Sequence, residues 1–236
     1  VLSDLSTADF AARLDQAYLK VDRDTSPDEL RQQVEQALAL GFRSLCLPPI
    51  LVATVKHHYP QLRVSMVVAY PLGLETTAAK LFAIHEGEEI GVDEYDVVLD
   101  LYAIKAKNRE KLVREVELLV ETLGERSRRL KLIVEAPILT DQELEWVVEH
   151  LKGFPVGYLK TSTGYGRNPT RPEQVSLMRR VLGASEIGIK ASGGIRTLEE
   201  CEAMFRAGAE ILGVSRGPEL VEAHRQLVRQ TLSEED

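Results

Sequence analysis

The sequence predicts an α/β protein built as one (β/α)8 barrel spanning residues 1–236, with a short N-terminal helix. Three observations carry that prediction. Eight short β-rich runs alternate with longer amphipathic stretches from one end of the chain to the other. No Pro/Ser-rich linker or low-complexity tract divides the 236 residues, a length that suits one α/β barrel. The glycine-rich turns come late, after the sixth to eighth runs, where barrels commonly hold phosphate. An open doubly wound sheet is the competing architecture, but it would place a G-x-G-x-x-G after the first strand, and nothing of that kind follows Lys20.

The predicted strands are Asp15–Lys20, Ser44–Pro48, Val64–Tyr70, Tyr95–Leu101, Leu130–Ala136, Gly157–Thr163, Ile187–Ala191 and Ile211–Ser215. The segments between them are long enough for crossover helices. Ser26-Pro27-Asp28-Glu29, Thr140-Asp141-Gln142-Glu143, Thr170-Arg171-Pro172-Glu173 and Thr197-Leu198-Glu199-Glu200 each read as a reciprocal capping box at a helix start. Pro27 falls at the favoured first helical position. Gly41 and Gly208 end two of these helices as left-handed caps.

Composition narrows the function. The chain is 44% apolar and 28% charged, with 29 Lys and Arg against 37 Asp and Glu, a net charge of −8. Such a surface repels nucleic acid and anionic membranes. No apolar run reaches the roughly 18 residues of a membrane helix, and the start of the chain shows no signal pattern, so a cytoplasmic protein is expected. Two cysteines, Cys46 and Cys201, with no CxxC or Cys/His cluster, build neither a disulfide scaffold nor a structural zinc site. His57, His58, His85, His150 and His224 all fall in predicted helices and are read as surface or packing residues.

Strand parity exposes the chemistry, because residues two apart share a face. Lys160 shares a face with Tyr158 and Ser162, and Lys190 with Gly188 and Ser192. Lys131 pairs in this way with Ile133 and Glu135, and Asp96 with Val98 and Asp100. If these faces point inward, three lysines and three carboxylates meet inside the barrel. A buried ion is costly unless paired, so this is a poor way to fill a core and a good way to build a site. Two adjacent lysines disfavour each other's charge, which leaves one amine neutral near pH 7 and able to attack a carbonyl as a Schiff-base nucleophile. That chemistry calls for no metal and no cofactor.

The segments Tyr158-Leu159-Lys160-Thr161-Ser162-Thr163-Gly164 and Ile189-Lys190-Ala191-Ser192-Gly193-Gly194-Ile195-Arg196 resemble the two lysine segments of the deoxyribose-phosphate aldolases, class I Schiff-base enzymes on a TIM barrel. Tyr70-Pro71-Leu72-Gly73 and Asp93-Glu94-Tyr95-Asp96-Val97-Val98 are similar to further motifs of that family. The resemblance covers nearly the whole chain. It implies reversible cleavage of 2-deoxy-D-ribose 5-phosphate to D-glyceraldehyde 3-phosphate and acetaldehyde. Lys160 would be the nucleophile, Lys190 would lower its pKa, and Lys190 with Asp96 would relay protons. Asp15, Cys46, Lys131, Glu135 and Thr161 would stand beside the substrate. Gly164, Gly193, Gly194, Ser215 and Arg216 would hold its phosphate. The family also implies a homo-oligomer, a dimer.

Departures from the family pattern are visible as well. Gln16 and Ala17 stand where the family usually has His and Thr, Ala136-Pro137 follows Glu135, and Arg216 replaces a second serine. The tail Leu232-Ser233-Glu234-Glu235-Asp236 carries no tyrosine. Ala17 and Arg216 keep open a Schiff-base barrel aldolase for a different aldehyde or phosphorylated sugar. A non-catalytic barrel binding a phosphometabolite would require one of Lys160, Lys190 and Asp96 to be missing, and none is.

Overall fold

The computed structural model describes residues 2–21 and 25–234. Helix α1 (Thr7–Ala11) precedes β1 (Leu14–Ala17), and the chain then alternates: α2 (Pro27–Leu40), β2 (Ser44–Leu47), α3 (Pro49–His58), β3 (Val64–Val68), α4 (Thr77–Ile90) and β4 (Glu94–Val98). Two helices, α5 (Leu101–Lys105) and α6 (Arg109–Leu123), separate β4 from β5 (Leu130–Ile133). The rest is α7 (Asp141–Leu151), β6 (Tyr158–Lys160), α8 (Pro172–Leu182), β7 (Gly188–Ser192), α9 (Leu198–Arg206), β8 (Ile211–Val214) and α10 (Gly217–Glu234). The strands form a closed parallel barrel in sequence order, with β8 pairing β1. The expected (β/α)8 barrel with its short leading helix is therefore what the chain forms. Glu235 and Asp236 of the acidic tail lie outside the described residues.

Nearly every strand residue is buried, because one face packs on the helices and the other fills the barrel. Several strands are shorter than the sequence predicts, and each lost end matters. Strand parity stops where the strand stops. Asp100 lies beyond β4 and turns away from the barrel to cap α5, accepting the Ala103 N–H at 2.9 Å and pairing with Lys111. Glu135 lies beyond β5 with a positive φ of 54°, so strand parity no longer sets the direction of its carboxylate.

The capping boxes at Thr140/Glu143 and Thr197/Glu200 are reciprocal, as expected, and the Ser26 side chain accepts the Glu29 N–H. The box at Thr170 does not form. Pro172 takes the first helical position of α8, which makes Arg171 the cap residue, and Gln174 Oε1 accepts its N–H at 3.0 Å. The Thr170 hydroxyl donates instead to the Ser192 carbonyl at 2.6 Å, tying the β6–α8 segment to the end of β7. Among the histidines, His57, His58 and His85 are exposed on α3 and α4, and His150 bonds the Trp146 carbonyl within α7. His224 is buried, stacked on Phe10 with its ring nitrogens on Leu2 O and Thr7 Oγ1.

Candidate active site

Register places the charged residues. Parallel pairing sets Lys160 beside Lys190 across β6 and β7, and Asp96 beside Lys131 across β4 and β5. Asp96, fully buried, is the hub: its Oδ2 accepts from Lys160 Nζ and from Lys190 Nζ, each at 2.7 Å, and its Oδ1 accepts from Lys131 Nζ at 3.0 Å. Asp15 takes Lys190 Nζ at 2.7 Å on Oδ2 and Arg43 Nη1 at 3.0 Å on Oδ1. Glu94 closes the floor, with Arg43 Nη2 at 2.5 Å and Lys131 Nζ at 2.7 Å. Lys131 also donates to Ser65 Oγ at 2.6 Å.

Each carboxylate here must overcome its own burial. Burial is the strongest influence on Asp96 and pushes its pKa up, but Lys131, Lys160 and Lys190 outweigh it and hold the carboxyl well below the usual range. Asp15 is lowered in the same way by Lys131, Lys190 and Arg43. Burial pulls Lys190 down, yet Asp15 and Asp96 raise it above an ordinary lysine, so it is an ammonium ion across the neutral range. The two lysines thus do not simply repel each other, as their adjacency in the sequence implied; a shared carboxylate oxygen stands between them.

Above this network the C-terminal mouth of the barrel opens into a cavity of about 290 Å3. Lys160, Lys190, Asp15 and Cys46 form its floor, while Gly164, Gly193, Gly194 and Ser215 line one wall. Those turns need glycine: φ is 96° at Gly193 and 87° at Gly194, where a Cβ would meet Pro169 Cβ at 2.5 Å. The Gly164 N–H is already taken by Ser162 Oγ at 3.0 Å, which leaves Gly193 and Gly194 as the wall's glycine donors. Cys46 lies 3.8 Å from Asp96 Oδ2; burial, then the Asp96 charge, pushes its thiol up to about 11.

Four expected substrate contacts do not line the cavity. Lys131 lies beneath it, fully buried among carboxylates. Glu135 accepts from Ser162 Oγ at 2.7 Å and from the Thr163 N–H at 2.9 Å, which makes it a brace for the loop after Lys160. The Thr161 hydroxyl bonds Thr170 and the Ser192 backbone between β6 and β7. Arg216, at the start of α10, faces outward to Glu219 at 3.3 Å with a half-exposed side chain.

Tyr18, Lys20, Glu29 and Gln33 also line the cavity without having been assigned to a site, as do Gln16, known from the sequence only as a departure, and Tyr70 and Arg196, known only as members of family-like segments. Arg43 and Glu94 in the floor were missed too. Glu94 was within reach, since it is two residues before Asp96 and shares its face. Arg43 precedes β2 and gives no strand signal.

A closed barrel whose mouth holds two lysines on one buried carboxylate, beneath glycine turns suited to an anion, defines the class: a (β/α)8-barrel enzyme with an amine at its reactive centre. No protein-family model matches the chain. It is 34% identical to the deoxyribose-phosphate aldolase of Thermococcus gammatolerans over 221 residues, 92% of this chain and 97% of the relative. With the Micrococcus luteus enzyme of the same name it shares 35% over 219 residues, 89% and 94% of the two chains. The solved deoxyribose phosphate aldolase of Aeropyrum pernix, a tetramer, superposes with a TM-score of 0.84 at 28% identity over 94% of both chains. The chain belongs to the deoxyribose-phosphate aldolase family, whose members are lyases.

Proposed function

We propose that the protein cleaves 2-deoxy-D-ribose 5-phosphate reversibly to D-glyceraldehyde 3-phosphate and acetaldehyde, through a Schiff base on Lys160. The observation that carries this reading is the position of Lys160: its amine faces the cavity and touches a single carboxylate, whereas Lys190 is held by two. Lys131 reaches Asp15, Glu94 and Asp96, and Lys190 reaches Asp15 and Asp96, so Lys160 is the least restrained of the three amines. Its amine adds to C1 of the open-chain aldehyde, and loss of water gives the iminium ion. The C3 hydroxyl then loses its proton, the C2–C3 bond breaks, and its electron pair moves into the iminium as an enamine while glyceraldehyde 3-phosphate departs. Protonation at C2 and hydrolysis release acetaldehyde and the lysine. Asp96, in contact with both amines, is placed to pass protons between them, and Lys190 supplies the fixed positive charge.

The phosphate would rest on the Gly193 and Gly194 N–H groups and Ser215, with Lys20 and Arg196 at the same cavity facing its charge. Arg216 plays no part in this arrangement. Ala17 lines the cavity without a hydroxyl, which favours a shifted substrate range as a second reading. A cytoplasmic homo-oligomer, a dimer, completes the proposal. Acetaldehyde release from deoxyribose 5-phosphate tests it: wild type should turn over and Lys160→Ala should not. Wild-type release no faster than that of Lys160→Ala would remove the reading.

A further inference from the structure

Gln16 stands near the exit of β1 and is almost wholly buried. Its amide uses both ends. Oε1 accepts the Gly217 N–H at 2.9 Å; Nε2 donates to the Ser215 carbonyl at 3.3 Å and to Gln33 Oε1 at 2.9 Å. The first bond needs a bare backbone, since a Cβ on Gly217 would come within 2.6 Å of that same oxygen. One side chain thus grips the β8–α10 turn on both sides of Arg216 and ties it to α2.

The same turn, with the β8 residues that lead into it, lines the cavity through Gly213, Val214 and Ser215. Its near end lies against Lys190, because a Cβ on Gly213 would stand 3.0 Å from Lys190 Cε. The turn is therefore fixed at two points, by the reactive centre at one end and by Gln16 at the other. The next residue, Pro218, has no N–H, so with Gly217 committed to Gln16 the first turn of α10 has few donors left to offer an anion. The height of Ser215 above the cavity then decides the grip on the distal end of a ligand.

We propose that Gln16 is a positioning residue for phosphate: it sets the β8–α10 turn so that Ser215 meets the phosphoryl end of the substrate, without acting on the bond that breaks. This rests on the substrate reading above. Gln16→Met keeps the length and burial but removes every hydrogen bond. The Ser215 end of the turn is released while the Lys190 end stays seated, so ground-state and transition-state binding of phosphate weaken together.

The test is steady-state kinetics of wild type and Gln16→Met on deoxyribose 5-phosphate and on unphosphorylated deoxyribose, with thermal unfolding in rising inorganic phosphate. The variant should raise KM for the phosphorylated sugar about tenfold or more, the size expected for losing the one Ser215 hydrogen bond to a charged phosphate. Its kcat should stay within about threefold, and its kinetics on deoxyribose should match wild type. Inorganic phosphate should raise the wild-type unfolding midpoint and protect the variant far less. Should Gln16→Met fail to fold, Gln16→Glu carries the same split: it keeps an acceptor for Gly217 and sets a carboxylate oxygen against the Ser215 carbonyl. Equal losses on both sugars, no loss on either, or equal protection by phosphate would overturn the proposal. Wild type that ignores deoxyribose 5-phosphate yet shows Gln16-dependent protection by phosphate would refute the substrate reading and leave this one standing.

Discussion

Asp96→Asn keeps the shape of the side chain and removes one charge where three lysine amines meet, at 2.7, 2.7 and 3.0 Å. Removing one partner of a buried ion pair costs about 3–5 kcal/mol, and no solvent reaches this residue to soften the loss. The variant should therefore be less stable than wild type by roughly that amount near pH 7. The deficit should also depend on pH. A folded variant with uncompensated lysines sheds a proton that the unfolded chain retains up to about pH 10.4, so its stability rises with pH, by at most about 1.4 kcal/mol per unit for one proton. Wild type behaves differently. Asp15 and Asp96 are depressed, so their contribution is present above the unfolded value of about 3.9 and is lost as pH falls through the folded values. Lys190 is raised, so its contribution is intact below about pH 10.4. These groups leave wild type flat between about pH 6 and about pH 9. Urea unfolding of both proteins across that range, with equal m-values, measures the difference. A deficit below about 1 kcal/mol at pH 7, or one that does not shrink as pH rises, would refute the hub.

Two further substitutions separate the roles around it. Lys190→Leu should lower kcat at least about a hundredfold and move the acid-side limb of the pH profile; an acid-side limb like that of wild type would deny Lys190 an electrostatic role. Arg216→Ser should leave KM for deoxyribose 5-phosphate within about twofold, since an exposed pair with Glu219 contributes about 0–1 kcal/mol; a tenfold rise would return Arg216 to the phosphate.

The sequence carried the barrel because strands buried on both faces announce themselves as short apolar runs and because capping boxes mark the helix starts. It put Lys160, Lys190 and Asp96 inside the barrel because each interrupts such a run with a charge at inward parity. Parity stops being a guide where regular strand ends. Asp100 and Glu135 keep the right spacing but not the right backbone, and Thr161 is at a strand exit where its hydroxyl serves the neighbouring strand. Arg216 was assigned to phosphate from the turn it occupies; its direction depends on Glu219, three residues on, which local pattern leaves undecided. The outer wall at Tyr18, Lys20, Glu29 and Gln33 comes from the residues just after β1 and from α2, which no periodicity links to the lysines.

The central claim is that Lys160 forms the covalent bond to substrate, and trapping that bond tests it most directly. Wild type is incubated with acetaldehyde, reduced with borohydride and mapped by peptide mass. One two-carbon adduct on Lys160 is the expected result, absent from Lys160→Ala. An adduct chiefly on Lys190, or spread over surface lysines while Lys160 stays unmodified, would contradict the account.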